Sequence, residues 1–413
     1  MASYPSLARA ATSLHVLRRG DWLSSARVRN YSILLIAGYA IAIAAILATA
    51  HGAVDYAGRP LGSDFSDVWS AGQLALQGAP ASAYDPSVQY AAQQLAFHRS
   101  DIPYYGWAYP PFFLLLASAL ALLPYVVALA VWQGATVPLY LAALRAISRR
   151  RETLLLGLAF PAVFLGVTHG QNGFLTVALF AGGLLLLDRR PILAGILFGL
   201  LTYKPQFGLF LPLVLAVTGR WKTFGSAAGT AAGLVVITIG LFGVETWRAF
   251  LDSIAGTREV FLEEGQTGFQ KIQSAFAAVR SWGGSVPLAY AVQSVVTVAA
   301  GVALTGLWRS KADFRLKAAG LLTASLLATP YCMDYDLLLL APAVAFLAEL
   351  ARERGFRPYE ASFLALTFIA PIATRNVAKL TLIPLGLLVT IGLFIVILRH
   401  AFATAERPSE GLV

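Results

Sequence analysis

The chain has 413 residues, of which 58% are hydrophobic and only 13% are charged, and its formal net charge is +10. Soluble domains carry roughly 25% charged residues, so this composition, with repeated apolar runs of about 15–22 residues, excludes a soluble globular protein. The basic residues lie in short clusters between apolar segments, which excludes nucleic-acid binding as the cause of the positive charge. We therefore predict a single integral membrane domain over residues 1–413, an all-α polytopic fold with about 12 (11–13) transmembrane helices.

Residues 32–50 form the first apolar segment, and its end, Ala48-Thr49-Ala50, is similar to a signal-peptidase site. The segment exceeds the usual apolar length of about 7–15 residues in a signal peptide, and roughly 30 residues precede it. We therefore expect an uncleaved first span that follows a cytoplasmic segment at residues 1–31.

Further apolar segments follow, separated by basic clusters or polar turns. They lie near residues 110–124, 125–146, 153–168, 173–187, 191–203, 205–218, 223–244, 287–307, 316–330, 336–350, 360–374 and 378–398. The positive-inside rule places the basic clusters in the cytoplasm, together with the N-terminus and a tail at residues 399–413. Segment 110–124 is short and bounded by prolines, so it either spans or re-enters the membrane.

Almost every unusual polar group then falls on the outer face of the membrane. The outer parts are two long loops and four hairpin tips: residues 51–109, 245–286, 169–173, 203–206, 329–336 and 374–376. Independent structural loops would not be expected to gather such groups on one face, so we predict a shared site there.

The first outer loop contains Asp64 and Asp67 at the start of an amphipathic helix that should run to about Gln77. The apolar face of this helix, which includes Trp69, suits a position on the membrane surface. Asp64 would then lie at the membrane edge as a candidate catalytic base, with Asp67 and Trp69 as candidate substrate contacts. The alternative is that Asp64 only caps the helix and that Asp67 is solvated.

Lys204 is the single charged residue within the otherwise apolar stretch 191–218. A charge near hydrocarbon depth costs at least about 2.5 kcal/mol, which makes such residues functional candidates. Pro205 begins the next helix and puts Lys204 at a hairpin tip, where an ammonium group suits a phosphate. The alternative is an interfacial anchor, and the neighbouring Gln206, a candidate substrate contact, argues against it.

The tip at residues 169–173 adds His169, Gln171 and Asn172 between two glycines that allow close backbone approach. These side chains can donate hydrogen bonds to phosphate oxygens or sugar hydroxyls, and we predict that they bind the donor phosphate with Lys204. The alternative is an ordinary turn.

Tyr109, Asp334 and Asp336 stand at boundaries of apolar segments and are further substrate-binding candidates. Tyr109 would stack on a sugar or belong to an interfacial aromatic belt. The two acids would orient Lys204 or a substrate hydroxyl, or cap the following helix. The single cysteine, Cys332, excludes an internal disulfide and a cysteine-based metal cluster. No metal site or cofactor is indicated, and a role for a divalent ion stays open.

An ordered set of short motifs is similar to glycosyltransferase family 87. In chain order they are Asp64-Phe65, Trp69, Ala71-Gly72, Gly78, Tyr84-Asp85-Pro86, Tyr109-Pro110-Pro111, Gly170-Gln171-Asn172 and Lys204-Pro205-Gln206. The resemblance covers roughly residues 30–340 and rests on the order of the set, since no single motif is specific. It implies the GT-C architecture, with a large first extracytoplasmic loop that carries surface-lying helices.

The resemblance also implies an activity. It suggests an inverting hexosyltransferase, such as a mannosyltransferase, that uses a polyprenyl-phosphate sugar at the outer face of the bacterial cytoplasmic membrane and glycosylates a cell-envelope glycolipid or glycan. In such enzymes an acid early in the first outer loop is the general base, which corresponds here to Asp64. Residues Tyr331-Cys332-Met333-Asp334 depart from the mannosyltransferase pattern, which can carry a histidine there, so the sugar stays open.

Three other functions remain compatible with the sequence. A transporter or lipid flippase would place charges near the bilayer midplane and often shows two matching halves, and no clear internal repeat is visible. A non-catalytic scaffold of an envelope-assembly complex would tolerate alanine at Asp64 and Lys204. An envelope polysaccharide polymerase with pyrophosphate-linked donors would share a site at the membrane edge.

Overall fold

The computed structural model describes residues 14–403. Residues 1–13 and 404–413, which include Arg9 and most of the predicted tail 399–413, lie outside the described residues. Between residues 14 and 403 the regular elements are helical, apart from isolated β-bridges such as the one between Ile272 and Met333. The prediction of an all-α fold is therefore confirmed for this part of the chain.

Every predicted apolar segment contains a helix, which lets the backbone satisfy its own hydrogen bonds among apolar side chains. The α-helices are α1 (Ser25–Ala48), α2 (Phe65–Leu76), α3 (Pro86–Phe97), α4 (Phe113–Ala121), α5 (Tyr125–Ile147), α6 (Glu152–Ala159), α7 (Pro161–His169), α8 (Gly173–Leu186), α9 (Pro191–Leu200), α10 (Leu211–Val217), α11 (Trp221–Phe242), α12 (Val244–Thr257), α13 (Ala275–Ser281), α14 (Val286–Arg309), α15 (Phe314–Ala328), α16 (Leu340–Arg354), α17 (Glu360–Ile369), α18 (Thr374–Thr381) and α19 (Leu385–Ala403).

Five of these helices, α1, α5, α11, α14 and α19, are long and apolar enough to cross a membrane. Two bent pairs would raise the number to 7 if each pair were one span: α6 with α7, bent by 59°, and Glu360–Ile372 with α18, bent by 78°. The predicted count of about 12 spans is thus not confirmed within residues 14–403. Fewer helices are long enough to span because prolines such as Pro161 and Pro205 begin new helices inside the apolar runs.

Segment 110–124 forms α4, which has 9 residues. Such a helix is about 13 Å long, too short to cross a hydrocarbon core of about 30 Å. It packs against α2 instead, and the contact is close because α2 presents Gly72 there. A Cβ at position 72 would collide with the Ala117 backbone carbonyl and would lie 2.8 Å from Ala121 Cβ. The apolar face of α2, predicted to lie on the membrane surface, therefore packs on its own chain.

Polar contacts join several of the basic clusters, directly or through acidic partners. The contacts are Arg150 Nε–Glu349 Oε1 (3.7 Å), Arg315 Nη2–Glu353 Oε2 (2.6 Å), Arg354 Nη2–Asp313 Oδ2 (2.9 Å), Tyr359 N–Arg18 O (2.8 Å) and Arg357 Nη1–Arg399 O (3.0 Å). This arrangement supports one common side for these segments, as the positive-inside rule predicts.

The two long polar segments also contact each other. Tyr84 in segment 51–109 lies with its ring centroid 5.7 Å from that of Phe250 in segment 245–286. A Cβ at Gly106 would meet the Phe261 ring at 2.8 Å. Further along the second segment, the Gln273 N–H donates to the Cys332 carbonyl at 2.6 Å. Both polar segments thus meet at the turns that carry the predicted site.

Candidate active site

Asp64 stands immediately before α2, yet its carboxylate does not cap that helix. One carboxylate oxygen accepts a hydrogen bond from the Gln171 side-chain amide, and the other lies 3.1 Å from the Ser63 hydroxyl, which donates to it. The Asp64 backbone N–H donates to the His169 carbonyl at 3.0 Å. The helix start is therefore held by the main chain of the 169–172 turn, and the carboxylate is directed toward that turn.

The 169–172 turn is shaped by Gly170, which has φ +65° and ends α7. A Cβ at this position would lie 2.6 Å from Phe65 Cβ, so the close approach of α2 requires glycine. The turn buries Gln171 and Asn172, and the Asn172 amide donates to the Tyr109 hydroxyl at 2.8 Å. His169 Nδ1 lies 2.9 Å from the Leu165 carbonyl, so one ring nitrogen is held by its own helix.

Lys204 lies in the adjacent turn, where only 6% of the residue is exposed. Its Nζ donates to Asp336 Oδ1 at 2.9 Å and lies 5.6 Å and 5.4 Å from the ring centroids of Phe207 and Tyr335. The preceding Tyr203 donates from its hydroxyl to the Asn172 carbonyl at 3.1 Å. The tips at 169–173 and 203–206 are thus joined to each other and to the 331–336 turn.

The 331–336 turn carries both predicted acids, and each has a cationic partner. Asp336 accepts from Lys204 and also from the Met333 N–H at 2.9 Å, so it caps its own 3-10 helix, Asp334–Leu339, as well. Asp334, which is fully buried, accepts from Arg375 Nε at 2.7 Å. Asp336 therefore both caps this helix and pairs with Lys204, which the sequence analysis had given as alternatives.

A chain of contacts connects the two halves of the site. The Gln171 amide donates to Asp64, the Tyr203 hydroxyl donates to the Asn172 carbonyl, and the neighbouring Lys204 donates to Asp336. Burial raises the pKa of the Tyr331 phenol in the same turn as Asp336. The predicted outer loop and the 331–336 turn therefore share one cluster.

Asp67 lies one turn along α2 from Asp64 and is 6% exposed. Burial raises the pKa of Asp67 well above its usual value, the Asp64 carboxylate adds to the rise, and the Lys204 ammonium opposes it. The surroundings of Asp67 therefore favour its neutral form more than water does.

Several buried oxygens of this cluster have no hydrogen-bond partner among the described residues. They are Asp67 Oδ1, Gln171 Oε1, Asn172 Oδ1 and Asp334 Oδ1. An unsatisfied buried acceptor costs about 1–3 kcal/mol, so a ligand that brings several hydroxyl donors would be favoured here. A sugar is such a ligand, since each hydroxyl can donate one hydrogen bond.

Two further sequence-predicted residues have no hydrogen bond to this cluster of polar groups among the described residues. Trp69 is two positions from Asp67 and lies on another face of α2. Its Nε1 donates to the Leu123 carbonyl at 3.0 Å, and its ring contacts the Tyr125 ring edge-on. Gln206 is half-buried within the short 3-10 helix Pro205–Gly208. Among residues 14–403, no group of three or more His, Cys, Asp or Glu side chains could hold a metal ion.

The sequence analysis did not single out Tyr203, Tyr331, Tyr335 or Arg375. The three tyrosines directly precede, or lie within, the charged turns, so their position beside predicted site residues was the available signal. Arg375 was placed in an outer tip, but its partner Asp334 lies 41 residues away and could not be inferred from spacing.

Residues 107–330 match the family model described as Glycosyltransferase family 87. The matched region covers more than half of the chain and includes the 169–172 turn, Lys204 and the second long polar segment. Asp64 and Asp67 precede it, and Asp334, Asp336 and Arg375 follow it. No curated protein and no solved structure matches the chain.

Proposed function

Because the chain belongs to glycosyltransferase family 87, we propose that it is a membrane hexosyltransferase that uses a polyprenyl-phosphate sugar, with mannose favoured. The acceptor is a cell-envelope glycolipid or glycan at the outer face of the bacterial cytoplasmic membrane, and the transfer inverts the anomeric centre. The observation that carries the proposal is the chain of contacts that brings the Asp64 carboxylate, the 169–172 turn and the buried pair of Lys204 and Asp336 together.

Asp64 is the general base in this proposal. As the acceptor hydroxyl oxygen bonds to the anomeric carbon, its proton passes to Asp64, and the bond from that carbon to the phosphate oxygen breaks. The Gln171 amide and the Ser63 hydroxyl hold the carboxylate in place, which makes Gln171 a positioning residue as well as a predicted phosphate contact. A positioned base contributes about 10²–10⁴-fold to such a step.

The leaving phosphate gains negative charge as the sugar departs, and fixed donors stabilise it. Lys204 uses one N–H on Asp336 and has two more for a phosphate oxygen. Asn172 and His169 complete the predicted donor set; since Nδ1 of His169 donates to the Leu165 carbonyl, its Nε2 donates only when both ring nitrogens carry a proton. Asp67, protonated, and the unpartnered oxygens of Asn172 and Asp334 bind sugar hydroxyls, and Tyr109 lies beside them.

The architecture proposed for this reaction is that of the GT-C enzymes, with the isoprenoid tail in the bilayer. A lipid-linked donor needs no nucleotide-binding α/β domain, and the described residues form helices without a parallel sheet. The polar cluster beside apolar helices suits a donor whose sugar is polar and whose tail is not.

A donor panel tests the proposal. Purified full-length protein in lipid nanodiscs is offered radiolabelled polyprenyl-phosphate mannose, glucose and arabinose, and nucleotide sugars as controls, with and without a chelator. We expect transfer from one polyprenyl-phosphate sugar and none from nucleotide sugars. Transfer from a nucleotide sugar, or translocation of the lipid without transfer, would contradict the proposal and favour a different donor or a flippase.

A further inference from the structure

Arg375 is the second cation of the site, and it lies outside the region that matches the family model. It is at the second position of α18, and its Nε donates to Asp334 Oδ2 at 2.7 Å. Resting on the proposed function, we propose that the Arg375 guanidinium binds the phosphate of the lipid donor and holds it as the sugar leaves.

Arg375 is more accessible to a lipid phosphate than Lys204, which it would assist. The Arg375 side chain is 33% exposed, whereas that of Lys204 is 7% exposed and is enclosed by two aromatic rings. Among the described residues, Arg375 has a hydrogen-bond partner for Nε only. Its two Nη groups therefore remain available as the paired donors that match a phosphate.

Asp334 fixes the guanidinium in place. Its carboxylate is fully buried and belongs to the first residue of the 3-10 helix Asp334–Leu339, so Arg375 is held by Nε before a ligand arrives. Pre-organisation of this kind lowers the entropic cost of binding. Arg375 and Lys204 thus approach the same turn from two sides, since Asp334 and Asp336 are two residues apart and each binds one of them.

The surroundings of Arg375 indicate a lipid rather than a free phosphate. Exposed apolar side chains lie on α18 and at its ends: Ile372, Leu380, Leu382 and Ile383, of which Leu380 is 82% exposed. A cation beside an apolar surface fits a ligand with a phosphate head and a hydrocarbon tail. As transfer proceeds, the phosphodiester of the donor becomes a phosphomonoester, whose additional negative charge the guanidinium stabilises.

Binding of undecaprenyl phosphate to the full chain in nanodiscs tests this inference, with undecaprenol, inorganic phosphate and phosphatidylglycerol as comparison ligands. We expect wild type to prefer the polyprenyl phosphate, and Arg375→Gln to weaken its binding by roughly 10–100-fold, as expected for hydrogen bonds to a charged group. Lys379→Gln, an exposed cation one turn along α18, is the matched control and should bind as wild type does.

Arg375→Gln leaves the buried Asp334 carboxylate without its partner, and this could weaken binding through misfolding alone. A second pair of variants, in which position 334 is uncharged, controls for that effect. Asp334→Asn is compared with the double variant Asp334→Asn/Arg375→Gln, and we expect the double variant to bind more weakly. Equal affinity within this pair, or preference of wild type for phosphatidylglycerol or inorganic phosphate, would overturn the inference. If wild type transfers sugar and Arg375→Gln has the same donor KM, the inference about Arg375 is overturned and the proposed function stands. If wild type binds the polyprenyl phosphate but transfers no sugar, the proposed function is overturned and the inference about Arg375 stands.

Discussion

Asp64 and Asp67 are three residues apart in the sequence and meet different surroundings. The Asp64 carboxylate is held by Gln171 and Ser63, and the residue is half-buried. Asp67 is buried, and one of its oxygens has no partner among the described residues. Two neighbouring carboxylates in unlike environments can divide acid and base roles between them, and the proposed mechanism accordingly gives the base to Asp64 and a protonated contact to Asp67.

The stability of Asp67→Asn as a function of pH tests this division. Burial raises the pKa of Asp67, so the folded state binds the proton more tightly than the unfolded state, and wild type loses stability as pH rises between the two pKa values. The variant cannot titrate there. We expect it to unfold at a higher temperature than wild type at neutral pH, with a difference that shrinks toward about pH 4. A difference that does not depend on pH would contradict this reasoning, and thermal unfolding in detergent measures it.

The pair of Lys204 and Asp336 is buried on both sides and joins two turns that are 132 residues apart in the chain. Lys204→Met should lower stability by about 3–5 kcal/mol, because it leaves the Asp336 carboxylate buried without a partner. The double variant Lys204→Met/Asp336→Asn should recover most of that stability and still lack transfer activity. Thermal unfolding and a transfer assay separate the two effects, and a double variant with wild-type activity would make Lys204 purely structural.

Sequence reasoning found the residues of the site more readily than their partners. Lys204 was conspicuous because it is the single charge in an apolar stretch, and Asp64 because it begins a helix after the first span. Which groups they contact depends on tertiary distances that spacing does not encode. The Gln171 amide was predicted to bind phosphate, and the structure places it on Asp64.

At the scale of elements, α2 packs closely on α4, and this contact positions the helix that carries Asp67. α2 carries Asp67 and begins after Asp64, and it approaches α4 closely through Gly72. Hydropathy identified both segments but not their pairing. It also could not show that 110–124 would be a helix of 9 residues, because the length of a helix depends on where prolines and turns interrupt it.

Gly72→Ala tests this packing, and Gly229→Ala is its matched control. Alanine favours a helix by about 1 kcal/mol over glycine, so the change at Gly229 in α11, which has open space around it, should stabilise the protein slightly. At Gly72 the new methyl group would collide with α4, and overpacking costs about 1–3 kcal/mol. We expect a lower unfolding temperature and reduced transfer for Gly72→Ala only. Equal stabilisation of both variants would show that α2 and α4 are not closely packed.

At the scale of the whole molecule, polar contacts join several basic clusters, and the two long polar segments contact each other and the turns of the site. Charge patterning along the sequence predicts that these two groups lie on opposite faces of the membrane, because the positive-inside rule acts on short loops between spans. The number of spans was harder to predict, since apolar runs give both long helices and short, bent ones.

Thiol labelling tests the separation directly. The single cysteine, Cys332, is 1% exposed, so a Cys332→Ala chain provides a silent background. In intact spheroplasts, a membrane-impermeant maleimide should label Gln266→Cys, in the second long polar segment, and should label Arg352→Cys only after permeabilisation. Labelling of both variants in intact cells, or of Arg352→Cys alone, would contradict the proposed orientation.

The assignment of Asp64 as the base is tested most directly by the transfer rate of Asp64→Asn, with Asp85→Asn, an exposed aspartate in the same polar segment, as control. With the polyprenyl-phosphate sugar that wild type uses, we expect Asp64→Asn to fold normally and to transfer about 10²–10⁴-fold more slowly, and Asp85→Asn to match wild type. Transfer by Asp64→Asn at the wild-type rate would contradict the account.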